Sequence, residues 1–215
     1  MKIIFDLDGT LLDSRIRLFK LFRDLVPTSS LSFDEYWCLK RNKVSNVMIL
    51  KEAYFYSDRK IEDFELRWME RVETKKYLKE DILYFGVDKM LEKIHFSNEL
   101  YLCTARQSKC LAEEQLDSLK IKDYFKKILV TEQGTTKSIL LKENVDILNS
   151  SDWIIGDTGH DILTGKALGL RTCAVSNGFL SSSVLLDYSP DLILKSAAKI
   201  NNNLLESSND AETTK

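Results

Sequence analysis

The residues with most chemical potential are the pair in Asp6-Leu7-Asp8-Gly9-Thr10, at the end of the apolar run Ile3-Ile4-Phe5. Strand side chains alternate, so Asp6 and Asp8 emerge on one side where such a strand ends. Two carboxylates held close repel each other unless a cation or a shared proton joins them. The pair therefore suits a hard metal ion such as Mg²⁺, or a nucleophile beside an acid/base group. A strand running into a polar turn would use the same residues for turn propensity alone. What decides between these readings is the company the pair keeps.

Three later segments have the same form, an apolar run followed by chemistry-bearing residues. Glu99-Leu-Tyr-Leu-Cys-Thr104 leads into Ala105-Arg106, Lys127-Ile-Leu-Val-Thr131 leads towards Lys137, and Asp152-Trp-Ile-Ile-Gly156 leads into Asp157-Thr158-Gly159-His160-Asp161. Between the runs, helical periodicity covers about 87–96, 108–119, 136–148 and 159–168, and further strands are expected near 171–175 and 191–194. Strand–helix alternation predicts a parallel sheet covered by helices on both faces. Ligands of such sheets bind beyond the carboxyl ends of the strands, so acids, a hydroxyl and a cation should meet at one edge. Singly, each has a plainer use: Thr104 as a helix cap, Lys137 as a solvated lysine, Asp157 and Asp161 as charges at a helix start.

The first strand, 2–7, is separated from this alternation by a long helical stretch. Ile16, Leu18, Phe19, Leu21, Phe22 and Leu25 mark a helix over 15–26 that Pro27 stops. Ser32 with Glu35 reads as a capping box, and helical patterning rich in aromatic residues continues to about Lys79. This predicts a small helical bundle inserted after the first strand. Within it, the basic and polar interruption Leu39–Asn46 supplies Lys40, Arg41, Lys43 and Asn46, candidates for reading a second anionic or hydroxyl group, or simply an interhelix loop.

The 215 residues suffice for one domain with an insertion, and 31 basic against 33 acidic residues give a net charge of −2. That balance offers no electrostatic case for nucleic acid or an anionic membrane. No apolar run is long enough to span a bilayer. The four scattered cysteines form no C-x-x-C and only two histidines accompany them, which disfavours zinc and suggests a reducing, cytoplasmic location with no secretory signal. The oligomeric state, monomer or dimer, is open.

In order and spacing, Asp6-Leu-Asp8-Gly-Thr, Thr104, Lys137 and Gly-Asp157-Thr-Gly-His-Asp161 closely resemble the four motifs of the haloacid dehalogenase superfamily, in its phosphoglycolate phosphatase and β-phosphoglucomutase-like branch. The resemblance implies an α/β fold: a Rossmann-like core over 1–14 and 84–206, an α-helical cap over 15–83 and a flexible tail over 207–215. It implies a phosphatase acting on a small phosphorylated metabolite. Asp6 would be the nucleophile that becomes an aspartyl-phosphate, and Asp8 the acid/base. Asp6, Asp8, Asp157 and Asp161 would hold Mg²⁺, Asp8 through its backbone carbonyl. Thr104, Ala105, Arg106, Gly9 and Thr10 would bind the phosphoryl group, and Lys137 would neutralise charge. Asp8 also disfavours halide displacement, since the dehalogenase branch lacks that acid. A sugar phosphomutase is the near alternative, although the cap contains no histidine, and a non-catalytic phospho-ligand binder is a more distant one.

Overall fold

A computed structural model describes residues 1–207. Six parallel strands form the sheet: β1 (Lys2–Phe5), β4 (Glu99–Thr104), β5 (Lys127–Val130), β6 (Trp153–Gly156), β7 (Arg171–Val175) and β8 (Leu192–Leu194), in the order β5-β4-β1-β6-β7-β8. β1 is central, pairing Ile3 with Leu100 on one side and with Trp153 on the other. A central strand covered on both faces needs no alternation, and Ile3, Ile4 and Phe5 are all fully buried.

Each sheet face has its own core. Ile3, Phe5, Leu102, Trp153, Ile155 and Val175 pack with Val87, Met90, Leu91 and Ile94 of α6 (Val87–Ile94). On the other face Ile4, Tyr101, Cys103, Leu129 and Ile154 pack with Leu141 of α8 (Lys137–Asn144). α7 (Lys109–Ser118) and α9 (Gly159–Ala167) complete the alternation, and a short α10 (Ser182–Leu186) precedes β8. The expected strands and helices are present with ends moved by a few residues; α8 is the main shortening, ending at Asn144 where about 148 was expected.

Five helices lie between β2 (Leu12–Asp13) and β3 (Ile82–Leu83): α1 (Arg15–Leu25), α2 (Phe33–Arg41), α3 (Asn46–Tyr54), α4 (Asp58–Arg71) and α5 (Lys75–Leu78). β2 and β3 pair antiparallel, Leu12 with Leu83 and Asp13 with Ile82, so the chain leaves and re-enters the core through one small ribbon. Periodicity gave no hint of strands only two residues long. The Ser32–Glu35 capping box forms at the start of α2. The helices enclose a separate apolar cluster that includes Leu21, Phe22, Tyr36, Trp37, Leu50, Ile61, Phe64 and Tyr77, with the Phe22 and Tyr36 rings 4.9 Å apart. Of the expected tail 207–215, Ser207 closes α11 (Asn202–Ser207), and 208–215 lie outside the described residues.

Candidate active site

The carboxyl ends of β1, β4, β5 and β6 open on a cavity of about 460 Å³. Asp6, Asp8, Thr104, Ala105, Arg106, Lys137 and Asp161 contribute to its core-side wall, and Arg17, Leu18, Val72 and Glu73 close it from the inserted helices. Lys137 sits at the first turn of α8, where Thr136 accepts the Ile139 N–H as cap. Its Nζ donates to Asp6 Oδ1 at 2.5 Å and to Asp161 Oδ1 at 2.6 Å. Asp161 is fixed in turn by a capping box with Thr158, whose Oγ1 donates to Asp161 Oδ2 at 2.6 Å.

Asp157 is fully buried and accepts from Thr10 Oγ1 at 3.2 Å and from the Phe179 N–H at 2.6 Å. Oxygens of Asp6, Asp157 and Asp161 lie within 4.8 Å of one another. Burial pushes the Asp6 carboxyl up to about 7 even with Lys137 beside it, and burial together with the acidic neighbours Asp6 and Asp161 raises Asp157 well above the usual carboxylate range. Burial opposes the Lys137 ammonium, but Asp161 and Asp6 outweigh it and hold that ammonium above its ordinary value. Three buried carboxylates facing one ammonium leave an uncompensated negative site of oxygen donors only. That donor set fits a hard divalent cation.

Gly9 belongs to this geometry for a steric reason. Its φ is +84°, and a Cβ there would lie 2.1 Å from Asp157 Oδ2. Its N–H donates to Leu12 O, and the Thr10 N–H to Leu7 O. Gly9 and Thr10, expected to bind the phosphoryl group, close the turn and neighbour Asp157, and neither contributes to the cavity wall.

Asp8 has a different set of partners. Its carboxylate is turned from the three-acid cluster into a set of cations. Arg106 donates through Nε to Oδ2 at 2.5 Å and through Nη2 to Oδ1 at 2.7 Å. Arg17 Nη2 donates to Oδ1 at 2.6 Å, and Ser14 Oγ donates to the same oxygen. Burial works against the charged form, but Arg106 and Arg17 overcome it and hold the Asp8 carboxyl well below the usual range. Behind the arginines lies Asp81, whose side chain has no solvent exposure; Arg17 Nε is 3.0 Å and Arg106 Nη2 is 3.2 Å from it.

The expected cap residues face elsewhere. Arg41 donates to Gly178 O at 3.2 Å and to Ser176 O at 3.0 Å, and its own carbonyl accepts the Ser181 N–H. Lys40 and the Tyr36 hydroxyl both donate to Asn46 Oδ1, and Lys43 lies over the Tyr188 ring. None of Lys40, Arg41, Lys43 and Asn46 lines the cavity. The loop holds the inserted helices against the core, assisted by Trp37, which stacks on Phe179 at 5.6 Å.

Sequence reasoning missed Arg17, Asp81 and Glu73. Glu73 accepts the Gln107 and Ser108 N–H groups at 2.8 and 3.2 Å, tying the inserted helices to the loop after Thr104. The available signal was a charged residue on the otherwise apolar side of α1.

Comparison with known proteins agrees with this geometry. Residues 3–175 match the family of haloacid dehalogenase-like hydrolases. A Clostridium perfringens protein named "Putative pyrophosphatase PpaX" is 26% identical over 207 residues, covering 92% of this chain and 94% of that protein. The structure of a haloacid dehalogenase-like family hydrolase from Streptococcus pneumoniae superposes with a TM-score of 0.72 at 25% identity, covering 89% of this chain and 92% of that one. A Bacillus subtilis protein, YfnB, named as a HAD-hydrolase and solved with magnesium bound, gives a TM-score of 0.62 at 17% identity over 97% and 98% of the two chains. With a family match over most of its length, and with Asp6, Asp8, Thr104, Lys137 and Asp161 lining one cavity beside the buried Asp157, the chain belongs to the haloacid dehalogenase-like hydrolases.

Proposed function

We propose that this protein is a Mg²⁺-dependent phosphatase that hydrolyses a small phosphorylated metabolite through an aspartyl-phosphate on Asp6. The observation that carries this reading is the juxtaposition of Asp6, Lys137 and Asp161 in the wall of a cavity of about 460 Å³, a size suited to a small molecule, with the fully buried Asp157 within 4.8 Å of the other two acids. The name of the Clostridium perfringens relative, "Putative pyrophosphatase PpaX", points the same way.

Asp6 attacks phosphorus in line, and the ester bond to the leaving oxygen breaks as the acyl-phosphate forms. Asp8, ionised while Arg106 and Arg17 hold it, serves as the acid/base once it leaves them: it gives a proton to that oxygen, then takes one from the water that hydrolyses the acyl-phosphate. Lys137 compensates negative charge on Asp6 and on the incoming phosphoryl group, and Thr104 offers a hydroxyl to its oxygens. Asp6, Asp157 and Asp161, with the Asp8 carbonyl, would hold the cation, which supplies charge neutralisation of the phosphoryl oxygens when bound. Residues 15–83 form the cap, moving on the ribbon at 12–13 and 82–83 to admit substrate, with 1–14 and 84–206 as the core. Four free cysteines, two of them exposed, suit a reducing cytoplasm, and among the described residues no helix is long and apolar enough to cross a membrane.

The test is hydrolysis of p-nitrophenyl phosphate with Mg²⁺ and with chelator, by the wild-type protein and by Asp6→Asn. Activity that needs Mg²⁺ and disappears in the folded variant supports the reading. No activity by the wild-type protein would favour a phospho-ligand binder, and near-wild-type turnover by Asp6→Asn would exclude the covalent route.

A further inference from the structure

Arg17 and Arg106 do more than the phosphoryl chemistry requires. They approach Asp8 from opposite sides of the cleft, Arg17 from the first cap helix and Arg106 from the loop after β4. Their side chains are only 3% and 2% exposed, and both contribute to the cavity wall. With Asp8 and Asp81 they form a group of two cations and two anions. The group is balanced in charge but imperfect in hydrogen bonding. Arg106 Nη1 is buried without a hydrogen-bond partner, and Arg17 Nε and Asp81 Oδ1, although close, are not aligned for one. Buried guanidinium N–H groups left unpaired are costly and favour a further acceptor.

The arrangement also immobilises Asp8. Its Oδ1 accepts from Ser14, Arg17 and Arg106, and its Oδ2 accepts from Arg106. An oxygen so engaged is not available to a leaving group. Asp8 becomes available when a different anion takes over part of the guanidinium contacts. Phosphate and carboxylate both match the planar fork of arginine.

Resting on the phosphatase reading above, we propose that Arg17 and Arg106 form a subsite for a second anionic group, phosphate or carboxylate, on the leaving-group side of the substrate. Such a group spans cap and core, takes guanidinium contacts from Asp8, and releases an Asp8 oxygen towards the scissile bond. A substrate with an uncharged leaving group leaves Asp8 held. The specificity determinant is then this pair, not the Lys40–Asn46 loop.

The experiment compares wild-type kcat/KM, at one fixed free Mg²⁺ concentration, for p-nitrophenyl phosphate, inorganic pyrophosphate and phosphoglycolate. At least one doubly anionic substrate should exceed the generic ester by 100-fold or more, pyrophosphate indicating a phosphate subsite and phosphoglycolate a carboxylate subsite. In Arg17→Gln that ratio should fall at least 10-fold, and Arg17→Lys should restore part of it. A ratio near one in the wild-type protein, or an equal loss on all three substrates in Arg17→Gln, overturns the inference. A second arm needs no variant. Phosphonoacetate or methylenediphosphonate should inhibit p-nitrophenyl phosphate hydrolysis at least 10-fold more tightly than methylphosphonate, and equal inhibition constants overturn the inference even if the variants do not fold. Absence of any metal-dependent hydrolysis is a failure of the phosphatase reading itself, and is distinguished by the p-nitrophenyl phosphate control.

Discussion

Lys137→Met tests the electrostatics of the site most directly. The ammonium bridges Asp6 and Asp161 at 2.5 and 2.6 Å, and its side chain is only 10% exposed. Removing one member of a buried ion pair costs roughly 3–5 kcal/mol, because the partner charge is left buried and uncompensated. In a protein of this size that corresponds to a fall in Tm of roughly 6–20 °C. The sign follows from linkage. The folded-state pKa of Lys137 is raised, so its stabilisation is fully present below the ordinary lysine value and is lost only as pH rises through the raised one. At pH 7.5 the full contribution is therefore at stake. In the variant, Asp6 and its neighbours can escape repulsion by taking up protons, so the deficit should shrink at pH 5. Mg²⁺ should reduce it too, by binding the folded state alone. The assay is urea or thermal unfolding of both proteins in chelator at pH 5 and 7.5, repeated at pH 7.5 with Mg²⁺. A loss below about 1 kcal/mol, or a loss equal at both pH values, would refute the reasoning.

Gly178→Ala should weaken metal binding, because its Cβ would lie 2.2 Å from Asp157 Oδ2 and 2.4 Å from Gly9 O; overpacking of this kind costs about 1–3 kcal/mol, and a Mg²⁺ activation curve moved to higher concentration is the readout. In chelator, wild-type stability should decline as pH rises from about 4 towards 7, since Asp6 (up to about 7) and Asp81 (up to about 6) titrate later in the folded than in the unfolded state; urea midpoints measured through this range should fall, and the decline should be smaller with Mg²⁺. Arg41→Ala removes two hydrogen bonds between cap and core, and should raise KM by a similar factor for every substrate, in contrast to the selective loss expected at Arg17. Ca²⁺ in place of Mg²⁺ should suppress turnover, because its longer bonds and higher coordination number displace the phosphoryl group from Asp6, and steady-state rates with each ion check it.

What the sequence disclosed was governed by locality. Asp6, Thr104, Lys137, Asp157 and Asp161 each follow an apolar strand or open a helix, so strand order and the rule of carboxyl ends bring them together before any coordinates exist. Arg17 and Asp81 follow no such rule. Arg17 lies in an otherwise ordinary amphipathic helix, and it is buried only because the cap folds over the core and Val72 O and Asp8 accept from it. Asp81 becomes a partner of both arginines only once β2 and β3 pair and bring the two ends of the cap together. The Lys40–Asn46 loop, read from sequence either as reaching a second substrate group or as a plain interhelix loop, does not line the cavity. Arg41 meets carbonyls and Lys43 a ring of the 176–188 segment, while Lys40 stays on Asn46 within the loop, contacts set by how the inserted helices dock and not by any local pattern.

Phe179 joins two parts of the molecule that are otherwise described separately. Its ring stacks on Trp37 of the cap, while its N–H holds an oxygen of Asp157. On the proposed function, cap position and cation affinity would share a free-energy term. If closing the cap steadies Asp157 for the ion, then the ion, by the same factor, favours the closed cap. Substrate and Mg²⁺ would then bind with positive cooperativity through one peptide group, and the apparent metal constant would depend on which ligand occupies the cleft. Trp37→Ala, more than a helix away in sequence from Asp6, Asp157 and Asp161, should uncouple the two titrations.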